Sequence, residues 1–157
     1  MGRFWRFRAP MHRSLFMYEV FEHTADLGLR VKSGDLCSLM AEAGEALYSV
    51  IVSDIDAIEG REEVEIRVEF NENELLLVDW LTELIYLFES RLLLLREFEV
   101  AISGDPGPVR VLTAVGRGEV FDSSRHQLDN EVKAITYHGL RVEEGSDGWL
   151  AEVIVDI

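Results

Sequence analysis

The sequence ends in two adjacent groups that could hold a metal ion. Asp156 and Ile157 close an alternating segment, residues 149–157, which places an aspartate side chain one residue from a free α-carboxylate. A terminal carboxyl group has an ordinary pKa of about 3.3–3.7, so both groups are anionic at neutral pH. Hard cations such as Ca²⁺ and Mg²⁺ take carboxylate and carbonyl oxygens as ligands. The alternative is a solvated terminus that binds nothing.

A second candidate lies near the start of the chain, in the segment His23-Thr-Ala-Asp26. Histidine and aspartate can each serve as acid, base or metal ligand. Residues 18–31 alternate as one strand, on which side chains three residues apart face opposite sides. This pattern favours His23 as a core histidine and leaves Asp26 free to bind. A bulge or tight turn within residues 24–28, which Gly28 would allow, would change that conclusion.

Two weaker candidates have ordinary structural explanations. On a predicted strand over residues 132–143, the exposed row Glu131, Lys133 and Tyr137 could bind a partner or a phosphate. A solvated face with a cross-strand ion pair of roughly 0.2–1 kcal/mol is at least as good an explanation. Cys37 near a helix start could have a depressed pKa, but a small packed residue is the favoured interpretation. The sequence has no phosphate-binding glycine loop, nucleophile elbow or paired metal-binding cysteines.

The elements that must position these residues predict an α+β domain. We expect a single domain over residues 17–157, with two helices packed on about six mostly antiparallel strands. The first helix begins at residues 34–35 and ends near Ile51, and the second follows Asn71 and ends near Arg91. Asn71 with Glu74 three residues later resembles a capping box. The strands are predicted over residues 18–31, 61–70, 97–103, 109–121, 132–143 and 149–157.

Residues 1–16 differ from the rest of the chain. They hold four arginines and no acidic residue, without a periodic apolar face. We interpret them as a flexible basic extension or a mis-assigned start, since Met11 and Met17 are plausible alternative starts. They lack the apolar run of a secretory signal.

Charge and composition restrict the partners. The formal net charge of −15 over 157 residues disfavours unaided binding to nucleic acid, because an acidic surface repels phosphate. A basic surface on another protein is a better partner, although the charge could serve solubility alone. A single cysteine and no stretch of eighteen apolar residues indicate a reducing, cytoplasmic setting and no membrane span.

Three ordered segments together resemble the archease family. They are His23-Thr-Ala-Asp-Leu-Gly28, Val78-Asp-Trp-Leu-Thr-Glu-Leu-Ile-Tyr86, and residues 131–138 followed by the closing Val155-Asp-Ile157. Each motif is weak alone, but the ordered set is specific and extends over residues 17–157. The basic segment before Met17 departs from the family pattern.

The resemblance implies a function and a site. Archeases are accessory proteins, not themselves known as enzymes, that activate the RtcB-type RNA ligase of tRNA splicing and RNA repair. The resemblance implies a divalent cation, typically calcium in the family with magnesium or manganese as alternatives, held by Asp26, Asp156 and Ile157. His23, Asp79 and Lys133 lie in matching motifs as possible partner-binding or supporting residues. RNA would be contacted only through the ligase.

Two other functions stay open. One is a chaperone that modulates a tRNA methyltransferase, an earlier idea for the family. The other is a metal-dependent hydrolase using Asp26 and His23, which the lack of an evident nucleophile and base pair disfavours.

Overall fold

The fold consists of two antiparallel sheets with two helices that contact both of them. The structure is a computed structural model that describes residues 4–6, 17–23, 26–104 and 107–157, with only the backbone described for residues 4–6 and 23. Within these residues nine strands and two α-helices are present, and every strand pairing is antiparallel. The predicted α+β class is confirmed, with more and shorter strands than expected.

The first sheet holds both ends of the described chain. Its strand order is β1-β2-β3-β9-β7, and β8 pairs with β9 beyond the end of β7. The strands are β1 (Phe4–Arg6), β2 (Met17–His23), β3 (Asp26–Ser33), β7 (Ala134–Ile135), β8 (Arg141–Gly145) and β9 (Gly148–Asp156). The last strand, β9, therefore lies inside the sheet next to β3, although more than a hundred residues separate them.

The second sheet has three strands in the order β4-β6-β5. They are β4 (Glu62–Phe70), β5 (Leu93–Ser103) and β6 (Arg110–Val120). Their alternation has the two-residue period of a sheet with one wet face: Ile66, Val68 and Phe70 are buried, and the intervening residues of β4 are exposed. A bulge between Leu95 and Glu97 shifts the register of β5 against β6.

The helices lie between the sheets. α1 (Leu36–Ile51) contacts β2, β3 and β9 on one side and β5 on the other, while α2 (Asn73–Arg91) contacts β7 and β8 as well as β4 and β5. Two buried hydrogen bonds join the helices: Trp80 Nε1 donates to Met40 O at 2.7 Å, and Tyr48 Oη donates to Leu84 O at 3.2 Å. They satisfy polar atoms that would otherwise be buried without a partner.

The two helix starts differ. Asp35 caps α1, because its carboxylate accepts from Ser38 N at 2.8 Å. The capping box predicted for α2 was wrong: the N-cap is Glu72, and its side chain makes no cap hydrogen bond. The helix is held instead by apolar burial, with Leu76, Leu77 and six further residues buried.

Two strand predictions need correction. Residues 18–31 form a hairpin of β2 and β3, not one strand. Residues 132–143 are not one strand either, because only Ala134–Ile135 pairs with β9 before the chain turns into β8. The predicted alternation fails there: Val132 and Ile135, three residues apart, are both buried.

The structure places part of the N-terminal segment. Phe4–Arg6 forms a short strand beside β2, an element that the sequence did not predict. The rest of residues 1–16 lies outside the described residues, so the expectation of a flexible extension stays a prediction. None of the described helices is both long and apolar enough to cross a membrane.

Candidate functional site

The register of β3 against β9 brings Asp26 and Asp156 side by side. Leu27 pairs with Val155, and one further step along the same register sets Asp26 opposite Asp156. Directly opposed residues on antiparallel strands have Cβ atoms about 4.5–5.5 Å apart. Both aspartates are half-buried. Two carboxylates from the two ends of the chain therefore share one small region at the end of the first sheet.

These aspartates lie on the outer face of the first sheet. Leu29 and Val153, which pair with each other, are buried and face the helices. Asp26 and Asp156 stand at odd separations from them along their strands, so the strand period places the two aspartates on the opposite face. Neither of the two described α-helices packs on that face, because both contact the opposite side of the sheet.

The segment before β8 hydrogen-bonds to β9 on the side of Asp156 that faces away from β3. Ala134 pairs with Asp156, and Lys133 N donates to Asp156 O at 2.8 Å. The Thr136 amide and hydroxyl both donate to Ile154 O at 3.0 Å. Asp156 is thus an interior position of the sheet, held between β3 and β7, and its side chain is not at a frayed edge. The Lys133 side chain is exposed.

His23 lies directly opposite Asp26 in the hairpin register. The argument that residues three apart face opposite sides required a single strand, and it does not apply to a hairpin whose connection is residues 24–25. Those two residues and the His23 side chain lie outside the described part, so a role for His23 stays a prediction. The antiparallel pairing of β2 with β3 shows that the chain reverses direction between His23 and Asp26, so the single-strand argument does not hold.

Gly28 is required by a close approach, not by a bulge. It pairs with Phe21 on β2 and Ile154 on β9, one row away from the aspartates. A Cβ atom on residue 28 would overlap the distal end of the Phe21 ring, which lies against the glycine backbone. This row gives the two aspartates an apolar neighbour that restricts water on one side.

A charged row follows on the same face. Arg30 Nε donates to Glu152 Oε1 at 2.6 Å and its Nη1 donates to Glu19 Oε2 at 2.9 Å. The guanidinium carbon lies 5.0 Å from the centre of the Phe21 ring. The hydrogen bond to Glu152 raises the pKa of Arg30 most, while burial opposes it. Sequence reasoning missed Phe21, Arg30 and Glu152, which become visible once the hairpin is recognised.

Other candidates are not joined to this site by any described interaction. Asp79 is exposed on α2, and no hydrogen bond or ion pair among the described residues links it to Asp26 or Asp156. Cys37 is half-buried, and burial first, then Asp35, raises the pKa of its thiol. The suggestion of a depressed cysteine pKa was therefore wrong.

A buried histidine that the sequence did not single out is structural. His126 Nδ1 accepts from Asp122 N at 2.9 Å, which leaves its Nε2 3.3 Å from Glu119 Oε2. Glu119 is also bound by Arg125 and by the amide of Glu59. Glu119 is on β6 and the other partners lie in loops beside it, so His126 is held in place in the loop after β6, next to the second sheet.

The donor set fits a hard cation only in part. In the described part of the chain no group of three or more His, Cys, Asp or Glu residues is arranged to hold a metal ion. Two carboxylates leave most of the six to eight oxygen ligands of Ca²⁺ to backbone oxygens, Ile157 and water.

Comparison with known proteins agrees on one family. The model of the Archease protein family (MTH1598/TM1083) matches residues 18–157. A protein archease of Methanopyrus kandleri is 42% identical over 142 residues, covering 89% of this chain and 99% of the relative. One of Pyrococcus furiosus is 38% identical over 141 residues, with 89% and 98% covered.

A solved structure shares the fold. The solution structure of Methanobacterium thermoautotrophicum protein 1598 superposes with a TM-score of 0.79 at 29% identity, covering 89% of this chain and 98% of that one. Family match, relatives and fold together show that the chain belongs to the archease family.

Proposed function

We propose that this protein is a non-enzymatic accessory protein that activates an RtcB-type RNA ligase, in tRNA splicing and RNA repair, through a divalent cation held by Asp26 and Asp156. The observation that carries the proposal is the pairing of these two half-buried aspartates on the outer face of the first sheet. A cation there, with Ile157 and water completing its shell, would be presented to a docked partner. Calcium is the proposed ion, with magnesium and manganese as alternatives.

The charge of the chain supports a protein partner. A net charge of −15 works against direct binding to RNA and favours a basic, RNA-binding enzyme as partner. RNA would then be reached only through the ligase. A cation supplied by the accessory protein would stabilise negative charge where guanosine triphosphate meets the ligase. The cytoplasm is the proposed location.

Ligase turnover tests the proposal. The ligase from the same organism is mixed with RNA ends, guanosine triphosphate and a substoichiometric amount of this protein, and joined RNA is counted per ligase molecule. We expect the number of turnovers to rise, and no joining by this protein alone. A ligase whose guanylylation and turnover are unchanged would contradict the proposal.

Calorimetry tests the cation site separately. Wild type should bind Ca²⁺, and Asp26→Asn and Asp156→Asn should each weaken binding strongly. Asp147→Asn is a matched control, because Asp147 is exposed and precedes β9 at the end opposite to Asp156. A short peptide fused after Ile157 should also weaken binding if its carboxylate is a ligand. Equal Ca²⁺ affinity in wild type and both site variants would show that Asp26 and Asp156 do not bind the cation.

The two other functions give different results. A methyltransferase chaperone would raise methyl transfer to tRNA, not RNA joining. A hydrolase would release phosphate from phosphoesters with metal and no ligase. In the part of the chain that the structure describes, the row beside the aspartates is Phe21, Gly28 and Ile154, which provides no nucleophile and favours the accessory role.

A further inference from the structure

The outer face of the second sheet is exposed, and the helix layer separates it from the aspartate pair. Ile66, Val68 and Leu112 are buried on the side of the sheet that faces the helices. The side chains that alternate with them point away from the helices. We call this side the acidic face, and it consists of Glu63, Glu65, Arg67, Glu69, Glu97, Glu99, Ala101, Thr113, Val115 and Arg117.

The acidic face contains a shallow groove. Cross-strand rows run Glu65–Val115–Glu99 and Arg67–Thr113–Ala101. Thr113, Ala101 and Val115 form a floor, and the longer side chains of the two outer strands, Glu65, Arg67 and Glu99, form rims. The depression has a volume of ≈ 520 Å³. In the next row, Glu63–Arg117–Glu97, Arg117 and Glu97 also line a smaller depression of ≈ 240 Å³ beside the loop that precedes β4.

The dimensions fit one polypeptide segment. Three strands about 4.8 Å apart give a face about 10 Å wide. The six residue steps from Glu63 to Glu69 on β4 extend it by about 20 Å along the strands. An α-helix with its side chains has a diameter of about 10–12 Å, and an extended chain is narrower. Either conformation can lie along the groove.

Ion pairs between residues of the acidic face neutralise only part of its negative charge. Arg117 binds Glu63 at 2.9 Å and Glu99 at 3.0 Å, and Arg67 binds Glu69 at 2.8 Å. Five glutamates against two arginines leave a formal excess of three negative charges. Glu65 and Glu97 make no ion pair with any described residue. The two unpaired carboxylates stand on opposite outer strands, so they can hold a cationic segment from both sides.

We propose that the acidic face docks a lysine- and arginine-rich segment of a protein partner, laid along β4, β6 and β5. Arginine and lysine stems would cover the floor at Val115, Thr113 and Ala101 while their charged heads reach Glu65 and Glu97. Nucleic acid is repelled by the same charges. This surface lies on a different sheet from the aspartates, so a segment docked here leaves the aspartate pair uncovered.

A peptide probe tests the surface without assuming a partner. Nonaarginine is titrated into ¹⁵N-labelled full-length protein at about 0.15 M salt, where exposed charges separated by more than about 8 Å are screened. We expect amide shifts concentrated at Val115, Thr113 and Glu99, and their loss in the double variant Glu65→Lys/Glu97→Lys. Shifts spread evenly over the surface, or unchanged in this variant, would overturn the proposal.

A matched variant controls for net charge. Glu89→Lys/Glu144→Lys changes the charge equally at exposed residues without described ion pairs, on α2 and β8. It should bind the peptide with the same localised shifts as wild type. A loss of localised shifts in this control as large as in Glu65→Lys/Glu97→Lys would show that only net charge matters. Unperturbed amides elsewhere in each spectrum confirm that the variants are folded.

The ligase serves as a second probe, and this arm rests on the proposed function. Glu65→Lys/Glu97→Lys should weaken its Kd about tenfold, since two attractive contacts become repulsive, and the control should not. A ligase that binds wild type and Glu65→Lys/Glu97→Lys equally would contradict docking here. A ligase that binds neither would contradict the proposed function, and the peptide shifts would still decide whether the face docks basic segments.

Discussion

Asp26→Asn should change stability in opposite directions with and without a divalent cation. The register places the Cβ atoms of half-buried Asp26 and Asp156 about 5 Å apart, and we take the same separation for their carboxylates. Coulomb repulsion at that distance lies between roughly 0.8 and 3 kcal/mol for effective dielectric constants of about 80 and about 20. Because solvent reaches both groups, the lower end applies. Removing one charge should therefore raise the free energy of unfolding by about 1 kcal/mol when the cation is chelated.

Adding Ca²⁺ should reverse the order. A ligand at about 100 times its Kd stabilises the folded state by about 2.7 kcal/mol. Wild type gains this stabilisation and Asp26→Asn does not. The variant should then be less stable than wild type by about 2 kcal/mol, the binding term minus the relieved repulsion. The change of sign in the stability difference between Asp26→Asn and wild type is more diagnostic than either value. General damage to the fold would lower the free energy of unfolding in both conditions.

Urea unfolding measures both quantities. The fluorescence of buried Trp80 reports the transition, with EDTA in one series and Ca²⁺ in the other. Asp147→Asn should differ little from wild type in either series. If Asp26→Asn is destabilising by the same amount in EDTA and in Ca²⁺, the two aspartates neither repel each other nor share an ion.

Three further predictions concern other parts of the molecule. Trp80→Phe should lower the free energy of unfolding by roughly 2–4 kcal/mol in urea titrations, because it leaves Met40 O without its buried partner and opens a cavity; a change below about 1 kcal/mol would contradict this. Cys37 should react with iodoacetamide more slowly in the native protein than in urea at about pH 8, because burial raises the pKa of its thiol and lowers the thiolate fraction; faster native alkylation would be the opposite result. Hydrogen bonds from Ser124 lower the pKa of Asp122 in the folded state, so the stabilisation from this carboxylate is complete above its unfolded pKa of about 3.9 and is lost as pH falls through the lower folded value. Asp122→Asn should therefore flatten the fall in melting temperature below about pH 4, and an equally steep fall would count against it.

Local patterns predicted the elements whose burial is regular. α1 was expected from residues 34–35 to Ile51 and is observed as Leu36–Ile51, because its apolar spacing and the Asp35 cap agree. β4 was expected over residues 61–70 and is observed as Glu62–Phe70, where one face is wet and the other buried. In such segments the period is set by the chain itself and needs no knowledge of its neighbours.

The hairpin was missed because its apolar residues change phase at the turn. Phe21 shares its sequence phase with Leu27 and Leu29, which suggests one continuous face. In the structure Phe21 covers Gly28 on the outer face, and Tyr18 and Val20 take the inner positions of β2. The apolar pair Tyr18 and Val20, out of phase with Leu27 and Leu29, is the sequence signal that could have revealed the turn.

The proximity of Asp26 and Asp156 could not be derived from pattern. Alternation says which face a residue takes on its own strand, but strand order depends on how distant segments pack. Only the family resemblance suggested that the two ends meet. Residues 132–143 show the same limit, since the short β7 is defined by its bonds to β9 and not by its own period.

Coupling between the aspartate pair and ligase activity is the central claim, and one measurement tests it most directly. RNA joined per ligase molecule is measured with substoichiometric wild type, Asp26→Asn, Asp156→Asn or Asp147→Asn, each confirmed to be folded. Wild type and Asp147→Asn should stimulate repeated turnover, and the variants at the site should not. Full stimulation by both Asp26→Asn and Asp156→Asn would contradict the claim that a cation held by this pair activates the ligase.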